Sequence, residues 1–424
     1  MTAAILDDLR WRGLVANSTD EAALAAALDA GPITFYCGFD PTAPSLHFGN
    51  LVQLVTMRRF QQAGHHPIAV VGGATGLVGD PSGKSAERTL NEVEVVEAWV
   101  EHIRLQIGHL LDFDGDNPAR MVNNLDWTQE LPTIAFLRDI GKHFSVARML
   151  EKEAVAARIS DEGISFTEFS YQVLQAMDYL ELYRRHGCVL QTGGSDQWGN
   201  LTAGVDLIRR AERASVHALA TPLVTRADGT KYGKTESGAV FLDPEMTSPF
   251  AFYQYFLNQA DADVVALLKV FSFRSAEEIG ELERSVAERP EAREAQRALA
   301  EELAAMVHGQ EEAGRAVAAS QAVFGGGDLG AIDEGTLAAA VADLPRSALP
   351  AQVPAVLDLL VATGLSRSRG DARRTVAEGG AYLNNRRLSD PSEVPGAGDL
   401  LHGRWLVLRR GKRNVAVVER RSGR

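Results

Sequence analysis

Residues 33–73 read ITFYCGFDPTAPSLHFGNLVQLVTMRRFQQAGHHPIAVVGG, which is a strand-like run, an amphipathic helical run and a second strand-like run in succession. The pattern returns in CVLQTGG, residues 188–194, followed by the helix-like DQWGNLTAGVDLIRRAE. Strands that alternate with helices are typical of an α/β fold with a parallel sheet, whose ligands bind where the strands end. The sequence therefore predicts a parallel-sheet domain over residues 33 to about 225, with its functional residues in the turns after the strands.

The composition is that of a folded protein. The 424 residues are 45% hydrophobic and 23% charged, and the length suits two to four compact domains. No apolar run approaches the roughly 20 residues of a membrane span, and the N-terminal stretch MTAAILDDLRWRG is acidic where a signal peptide is basic. Two cysteines, Cys37 and Cys188, do not make a disulfide framework. We predict a cytoplasmic protein without a membrane partner, in which Cys188 is a buried strand residue.

The net charge of −13 hides a division along the chain. Residues 365–424 contain 14 Lys and Arg against 6 Asp and Glu, a net charge of +8, which leaves −21 for the residues before them. A basic C-terminal unit on an acidic body indicates a local RNA or DNA contact, because neutralisation of phosphates dominates such binding. The alternative is a solvated basic tail. Between these parts, residues 247–322 are rich in Ala, Glu, Arg and Leu and predict helices, with a break near Pro290.

The first candidate site is YCGFDPTAPSLHFGN, residues 36–50. Ser45 stands just before the predicted helix, and His47 and Asn50 lie three apart near its first turn, so they share one face. A helix N-terminus attracts anions, and a His and an Asn amide there can donate to phosphate oxygens. Gly49, which has no side chain, lets a ligand approach the main chain between them. In isolation, the HFGN tetrapeptide is weak evidence for a phosphate site, and helix capping with packing is the favoured explanation.

A glycine-rich turn follows the second strand, GGATGLVGDPSGKSAER, residues 72–88. It is neither a P-loop nor a dinucleotide fingerprint, because Val78 and Thr75 stand where those patterns require glycine. The turn ends at Asp80, and Lys84 and Arg88 are four apart, as on one helical face. An ordinary strand-to-helix turn with two surface cations is the alternative.

Polar side chains recur at helical spacing in SFTEFSYQVLQAMD, where Tyr171, Gln175 and Asp178 fall on one stripe. Such a stripe is poor core material and would suit the wall of a pocket for a polar ligand. After the strand CVLQTGG comes Asp196-Gln197, placed to bring a carboxylate to a ribose at the sheet edge. A last stretch, DGTKYGKTESGAVFLD, residues 228–243, sets two lysines around a glycine in a predicted loop.

Together these blocks resemble the bacterial tyrosyl-tRNA synthetases, which are class I aminoacyl-tRNA synthetases. HFGN takes the place of the class I motif usually written H-I-G-H, and KYGKT that of K-M-S-K-S, with EFSYQVLQAMD and GGSDQWGN between them in the same order. The resemblance is dense over residues 33–258, looser through the helical region, and resumes at about Pro350. Two departures are visible, since Asn50 replaces the second histidine, and Gly233 and Thr235 replace the two serines.

The resemblance implies a two-step reaction, in which ATP activates L-tyrosine to tyrosyl-adenylate and the tyrosyl group then passes to tRNA(Tyr). It implies that His47, Asn50 and Thr42 stabilise the α-phosphate under attack. The departing pyrophosphate would be held by Lys84, Arg88, Lys231 and Lys234. The residues implied in ATP binding are Cys37, Gly38, Asp40, His47, Gly49, Asn50, Gly194, Asp196 and Lys234. Mg²⁺ would be carried with ATP, and no protein-bound metal is expected.

The residues implied in tyrosine binding are Tyr36, Asp80, Tyr171, Gln175, Asp178 and Gln197. Tyr36 and Asp178 would both hydrogen-bond to the phenol oxygen of the substrate, so that phenylalanine in the same place would leave both buried groups unpaired. Asp80 and Gln175 would take the α-ammonium group beside Tyr171, with Asp40 near both that group and the α-phosphate. Gln197 would lie near the carboxylate, and Cys37, Gly194 and Asp196 near the ribose.

The fold implied by the resemblance is a Rossmann-like parallel-sheet catalytic domain with a helical domain and a small C-terminal α+β RNA-binding domain. We expect residues 1–225 to form the first, with a connective insertion near 125–185, and 226–325 to carry the lysine loop and the helices. A linker over 326–350 would precede an S-four-type RNA-binding domain over 351–424. The arginines implied in contact with tRNA, near its anticodon and long variable arm, are Arg367, Arg369, Arg373 and Arg374.

The resemblance also implies a homodimer, formed through the insertion near residues 125–165. Two other functions remain open from the sequence. One is a catalytically silent relative that serves as an RNA-binding protein, against which the intact lysines and Asp196-Gln197 argue. The other is a class I enzyme specific for tryptophan, against which Tyr36 and Asp178 argue.

Overall fold

A computed structural model of the chain describes residues 3–80, 91–150, 163–230, 232, 234–235, 238–342, 344–411 and 414–420. It divides into two compact units, Met1–Met246 with Ala260–Ala295, and Thr247–Gln259 with Gln296–Arg424.

The strands of the first unit are β1 (Asn17–Ser18), β2 (Thr34–Phe39), β3 (His66–Val71), β4 (Arg120–Asn123), β5 (Cys188–Gly194), β6 (His217–Thr221), β7 (Lys234–Thr235) and β8 (Gly238–Ala239). The helices up to residue 211 are α1 (Ala3–Trp11), α2 (Glu21–Ala30), α3 (Phe48–Gln62), α4 (Thr75–Val78), α5 (Val93–Leu110), α6 (Leu125–Thr128), α7 (Thr133–Ala135), α8 (Val146–Leu150), α9 (Phe166–His186) and α10 (Trp198–Ala211). A π-helical turn, Phe136–Ile140, and 3₁₀ turns at Gly141–His143 and Ser195–Gln197 complete this part.

The helices beyond residue 246 are α11 (Pro249–Leu257), α12 (Asp261–Phe271), α13 (Ala276–Glu288), α14 (Glu294–His308), α15 (Gln310–Gly325), α16 (Glu334–Val341), α17 (Val356–Ala362) and α18 (Arg369–Ala377). The strands of the second unit are β9 (Arg346–Ala348), β10 (Ala381–Leu383), β11 (Arg386–Arg387), β12 (Trp405–Arg410) and β13 (Asn414–Glu419). Short 3₁₀ turns lie at Pro290–Ala292, Leu329–Ala331 and Ala397–Asp399.

The sheet of the first unit has the order β1-β6-β5-β2-β3-β4, and all its pairings are parallel except that of β1 with β6. The predicted parallel sheet is therefore confirmed. The chain runs from β2 through α3 to β3 on one side, and the later strands β5 and β6 lie on the other side of β2. Strand order reverses next to β2, and ligands of such sheets bind outside the carboxyl ends of the strands at this point.

The helices that border this edge begin and end at recognisable signals. Helix α9 starts at Ser165, whose hydroxyl accepts from the Glu168 N–H, and ends at Gly187 in the left-handed conformation that glycine adopts without strain. Helix α3 is capped by His47 and not, as its position suggested, by Ser45. The Ser45 hydroxyl instead accepts from the Gln106 amide and from the Asp243 N–H, because it is buried between those segments.

The second unit combines helices with a five-stranded sheet of order β11-β10-β12-β13-β9. The predicted helical region is present but is divided between the two units, because α12, α13 and the 3₁₀ turn that confirms the break at Pro290 belong to the first unit. Residues 326–350, predicted as a linker, contain α16 and the edge strand β9, which pairs parallel with β13. Leu337 of α16 is buried with Trp405 and Val417 of the sheet, so this segment is part of the core of the unit.

Candidate functional site

A cleft of about 520 Å³ opens at the carboxyl ends of β2, β3 and β5, where the strand order reverses. Its walls contain every predicted tyrosine- or ATP-site residue whose side chain the structure describes. These are Tyr36, Cys37, Gly38, Asp40, Thr42, His47, Gly49, Asn50, Asp80, Tyr171, Gln175, Asp178, Gly194, Asp196 and Gln197. Segments that are far apart in the sequence thus meet on one surface.

The deepest part of the cleft holds a tyrosine and an aspartate. The Tyr36 hydroxyl is buried and has no hydrogen-bond partner among the described residues. Asp178 is also buried, and its oxygens accept from Trp127 Nε1 at 2.8 Å and from Asn124 Nδ2 at 2.9 Å. One donor without a partner and one oriented carboxylate form a site for a hydroxyl group, which both accepts and donates.

Burial controls the charge of this pair. It raises the pKa of Asp178 to about 7, although the donors Asn124 and Trp127 oppose the shift. The nearby carboxylates of Asp40 and Glu181 add to the rise. Burial also raises the pKa of Tyr36 well above its usual value, and the charge of Asp178 raises it further, so this phenol stays protonated as a donor.

A chain of hydrogen bonds links Asp178 to a second carboxylate, that of Asp40. Asn124 Nδ2 donates to Thr75 Oγ1 at 3.0 Å as well as to Asp178, and Thr75 Oγ1 donates to Asp40 Oδ1 at 2.6 Å. The other oxygen of Asp40 accepts from the Tyr171 hydroxyl at 2.5 Å. Because each member is held from two sides, the network fixes where both carboxylates point.

A third group of acceptors lies around Asp80. Its carboxylate accepts from Gln197 Nε2 at 2.6 Å, and Gln197 Oε1 accepts from Asn200 Nδ2 at 2.9 Å. Gln175 Oε1 is buried and has no hydrogen-bond partner among the described residues. Carboxylate and amide oxygens that converge on one space suit a cation with several N–H donors, such as an ammonium group.

The rim of the cleft is the N-terminus of α3. His47 Nδ1 accepts from the Gly49 N–H at 3.0 Å, and Asn50 Oδ1 accepts from the His47 N–H at 3.0 Å. Both residues therefore cap the helix, as the alternative explanation held, and both also line the cleft. Capping through Nδ1 leaves the proton of the neutral imidazole on Nε2, and capping through Oδ1 leaves Asn50 its NH₂ group. Both side chains thus keep a donor at a helix N-terminus, where anions bind.

Two glycines let groups approach closely. A Cβ on Gly72 would lie 2.1 Å from Asp40 Oδ1, so a side chain there would displace that carboxylate. A Cβ on Gly38 would meet nothing within 4 Å, because the residue faces open space in the cleft. The neighbouring Cys37 thiol is buried, which raises its pKa to about 12 and keeps it neutral. Around Cys37 and Gly38 the wall therefore carries no charged side chain and leaves room for a ligand to reach the main chain.

Sequence reasoning missed several residues of the cleft. Asn124 and Trp127 hold Asp178, Thr75 holds Asp40, and Gln53 donates to Thr221 Oγ1 at 2.7 Å beside Cys37. The sequence feature that could have indicated Asn124 and Trp127 is the run VNNLDW at the end of β4, where polar residues follow a strand.

The four predicted pyrophosphate-binding cations stay predictions. Lys84, Arg88 and Lys231 lie outside the described residues, and Lys234 is described through its main chain, which pairs with Ala239 in the β7–β8 hairpin. The chain after this hairpin is bound to the start of α3. The Phe48 N–H donates to Val240 O at 2.8 Å, and the Leu242 N–H donates to Leu46 O at 2.9 Å.

The predicted RNA-contacting arginines belong to the second unit, on and just before α18. All of them are exposed: Arg367, Arg369, Arg373 and Arg374. Arg369 pairs with Asp358 at 2.8 Å, and Arg374 lies 4.0 Å from Asp371. Asp371 is itself bound by Arg410, which joins α18 to β12.

Within the described residues, no group of three or more His, Cys, Asp or Glu side chains is arranged to hold a metal ion. No helix in the described part of the chain is long and apolar enough to span a membrane.

Comparison with known proteins gives one consistent result. A sequence model of the family "tRNA synthetases class I (W and Y)" matches residues 28–325, and one of the "Tyrosine--tRNA ligase SYY-like C-terminal domain" matches residues 336–418. The chain is 63% identical to the tyrosine–tRNA ligase of Streptomyces avermitilis over 421 residues, 99% of each chain. It is 57% identical to that of Mycobacterium tuberculosis over 424 residues, covering 99% of this chain and 100% of the relative.

The fold is similar to a solved structure as well. A C-terminally truncated mitochondrial tyrosyl-tRNA synthetase of Aspergillus nidulans superposes with a TM-score of 0.68 at 29% identity. The match covers 74% of this chain and 92% of that one.

Proposed function

This chain belongs to the class I tRNA synthetases (W and Y), among their tyrosine–tRNA ligases, and from that premise we propose how its cleft activates tyrosine. In the first step a tyrosine carboxylate oxygen attacks the α-phosphorus of ATP, and the bond from that phosphorus to pyrophosphate breaks. In the second step a ribose hydroxyl of the 3′-terminal adenosine of tRNA(Tyr) attacks the carbonyl carbon, and AMP leaves.

The observation that carries the assignment is the Tyr36 hydroxyl, which lies beside Asp178 and has no hydrogen-bond partner in the part of the chain that the structure describes. A substrate phenol placed between them accepts from Tyr36 and donates to Asp178. Asn124 and Trp127 hold the carboxylate in place, so little reorganisation is needed when the substrate binds. Phenylalanine and tryptophan bring no hydroxyl to this position, so they leave the Tyr36 hydroxyl without an acceptor and Asp178 with only its donors Asn124 and Trp127.

The acceptors around Asp80 hold the other end of the amino acid. We assign the α-ammonium group to Asp80 and Gln175, with the Tyr171 and Asp40 pair alongside. Gln197 already donates to Asp80 and in this role also faces the substrate carboxylate. With the ammonium and phenol groups fixed, the carboxylate is left at the boundary with the nucleotide part of the cleft, as in-line attack requires.

We assign the ATP phosphates to the start of α3. Nε2 of His47 and the amide of Asn50 are donors at a helix N-terminus, and Thr42 lies on the same wall. Gly49 and Gly38 let the nucleotide reach the backbone, while Cys37, Gly194 and Asp196 face the ribose. Charge that grows on the leaving pyrophosphate would be met by four cations, Lys84, Arg88, Lys231 and Lys234. Mg²⁺ enters with ATP in this proposal, because it binds phosphate oxygens and waters.

The experiment that tests the tyrosine assignment is ATP–pyrophosphate exchange with tyrosine, phenylalanine and tryptophan. The wild type should exchange rapidly with tyrosine and only very slowly with phenylalanine and tryptophan. Tyr36→Phe should lower kcat/KM for tyrosine about tenfold, the size of one hydrogen bond, and leave the small rate with phenylalanine unchanged. Tyr183→Phe, which alters a tyrosine of α9 outside the cleft, is the matched control. An unchanged tyrosine-to-phenylalanine ratio in Tyr36→Phe would reject the assignment.

The remaining assignments concern the surroundings of the reaction. We propose that the exposed arginines around α18 contact tRNA(Tyr) phosphates, in keeping with the basic charge of residues 365–424. We also propose a homodimer through the predicted insertion, where five large apolar side chains are exposed among the residues described outside 151–162. These are Ile134 at 72%, Leu137 at 51%, Val146 at 61%, Leu150 at 41% and Phe166 at 75%. The reaction is assigned to the cytoplasm, where ribosomes use the charged tRNA.

A further inference from the structure

Tyr232 stands between the two lysines of the KYGKT loop and is nearly buried, at 8% exposure. Its ring lies edge-on to that of Phe48, with the centroids 6.3 Å apart. Phe48 is the first residue of α3 and follows His47 directly. Its ring packs in turn on Phe271, at the end of α12, with the centroids 4.5 Å apart. The loop is therefore joined by aromatic packing to the residue next to the proposed phosphate-binding histidine.

The chain that leads into Tyr232 is also held. The Tyr232 N–H donates to Val224 O at 3.1 Å, and the guanidinium of Arg226 lies 5.3 Å from the centre of the Tyr232 ring. Between them the Arg226 N–H donates to Thr230 O at 2.8 Å, and Asp228 accepts from the Thr230 N–H and hydroxyl. Residues 224–230 thus form a closed turn, and the main chain of Tyr232, whose ring packs on Phe48, is hydrogen-bonded to the start of this turn.

The chain that leaves the loop returns to the same place. Val240 accepts from the Phe48 N–H, and Leu242 donates to Leu46 O. The main chain of Lys234 lies between these two attachments and pairs with Ala239. The lysine segment, from Tyr232 to Val240, thus contacts the start of α3 at both of its ends.

We infer that Tyr232 is a positioning residue for the activation step, whose ring fixes the main chain of the lysine segment relative to His47. A lysine side chain is long and flexible, so the place where its charge acts depends on where its Cα is held. Misplacing a stabilising group by about 1 Å can cost two orders of magnitude in rate. The inference rests on the proposed role of Lys234 in holding pyrophosphate.

The alternative is that Tyr232 stabilises the fold and nothing more. The two roles differ in which step they change. A positioning role acts on adenylate formation, when pyrophosphate leaves, and not on tyrosine binding or on transfer from preformed adenylate. A structural role would lower the melting temperature and weaken all of these together. The side chain that matters is the aromatic ring, so phenylalanine should replace tyrosine.

The test measures three quantities in Tyr232→Ala and Tyr232→Phe: the single-turnover rate of tyrosyl-adenylate formation, the Kd for tyrosine, and the rate of transfer from preformed adenylate to tRNA(Tyr). We expect Tyr232→Ala to lower the first rate at least tenfold. The Kd and the transfer rate should stay within about threefold of the wild type. Tyr232→Phe should be within about threefold in all three. An unchanged adenylate rate in Tyr232→Ala, or equal losses in all three quantities, would overturn the inference.

A double-mutant cycle separates positioning from independent catalysis. If Tyr232 acts through Lys234, adding Tyr232→Ala to Lys234→Ala should slow adenylate formation less than Tyr232→Ala does in the wild type. Fully additive effects would contradict the inference. Failure of the proposed function is distinguishable, because Lys234→Ala alone would then leave adenylate formation at the wild-type rate. In that case the wild-type cleft would not use the lysine at all.

Discussion

The carboxyl group of Asp178 meets two opposing demands. In its proposed role it is buried in order to select a hydroxyl group, and burial raises its pKa to about 7, whereas accepting a hydrogen bond from the substrate phenol requires its charged form. Asn124 and Trp127 partly restore the charged form by donating to it. In the proposed role, Asp178 would therefore accept the phenol's hydrogen bond at a pH close to its own pKa.

This balance predicts a pH-dependent choice of substrate. Because kcat/KM reports groups of the free enzyme, its value for tyrosine should fall about tenfold between pH 8 and pH 6 as Asp178 takes up a proton. The value for phenylalanine, which has no phenol, should not share this fall, so the ratio of the two should drop. Exchange kinetics with both amino acids across this range measure it.

Two variants sharpen the test at Asp178. Asp178→Asn should give a low ratio that does not change with pH, because the titrating group is gone. Asp206→Asn, at an exposed aspartate of α10, should behave as the wild type. A wild-type ratio that stays constant from pH 8 to pH 6 would contradict the proposed contact.

Cleft residues that recur at helical spacing could be predicted from the sequence, whereas the residues that hydrogen-bond to them could not. Tyr171, Gln175 and Asp178 share one stripe of α9, and the stripe faces the cleft as expected. Asn124 comes from the end of β4 and meets Asp178 through tertiary packing alone. No local pattern in the sequence reports such a contact, because it depends on which strands become neighbours.

At the scale of elements, the long periodic segments were predicted and the short ones were not. The strands around residues 33–73 and the helix between them follow from pattern and burial, but the cap of that helix is His47 and not Ser45. Strand β9 has three residues in a proline-rich segment, and it is a strand because Arg346 pairs with Val417, 71 positions later. Such pairing is invisible to any local window.

Helix α18 allows a test of the RNA assignment. Arg367, Arg373 and Arg374 are exposed, so replacing all three by alanine should leave adenylate formation unchanged and lower kcat/KM for tRNA(Tyr) at least tenfold. The salt dependence of tRNA binding should become shallower, by roughly 0.7 to 0.9 in the logarithmic slope for each phosphate that the variant no longer neutralises.

The matched control removes three exposed arginines of the first unit, Arg104, Arg209 and Arg284. It lowers the net charge by the same amount and should leave the salt slope as in the wild type. Equal effects of both triple variants would mean that overall charge, and not the α18 surface, guides the tRNA.

For the whole molecule, the exposed apolar side chains of the predicted insertion set the expected assembly. Ile134 and Leu137 are 72% and 51% exposed, and large apolar side chains clustered on a surface mark an interface. We expect sedimentation velocity to find a particle of about twice the 45.8 kDa chain mass. Ile134→Glu with Leu137→Glu should shift it toward the single chain at micromolar concentration.

Leu105→Glu is the control for that experiment, since Leu105 is 67% exposed but lies on α5, outside the insertion. It should leave the particle mass unchanged. A wild type that sediments as a single chain, or a double variant that still sediments as two, would contradict the proposed interface.

The order of strands in the second unit has a consequence for biosynthesis. β13 lies in the interior of its sheet, between β12 and β9, yet it leaves the ribosome after every other strand of that sheet. Until then β9 has no partner strand, one edge of β12 is unpaired, and the side chains of Trp405 and Leu337 are not fully buried. A nascent chain in that condition exposes unpaired strand edges and apolar surface, the features that chaperones bind and that promote aggregation. A ribosome that stalls before the codons of β13 would therefore release a product far less soluble than the loss of this one strand suggests.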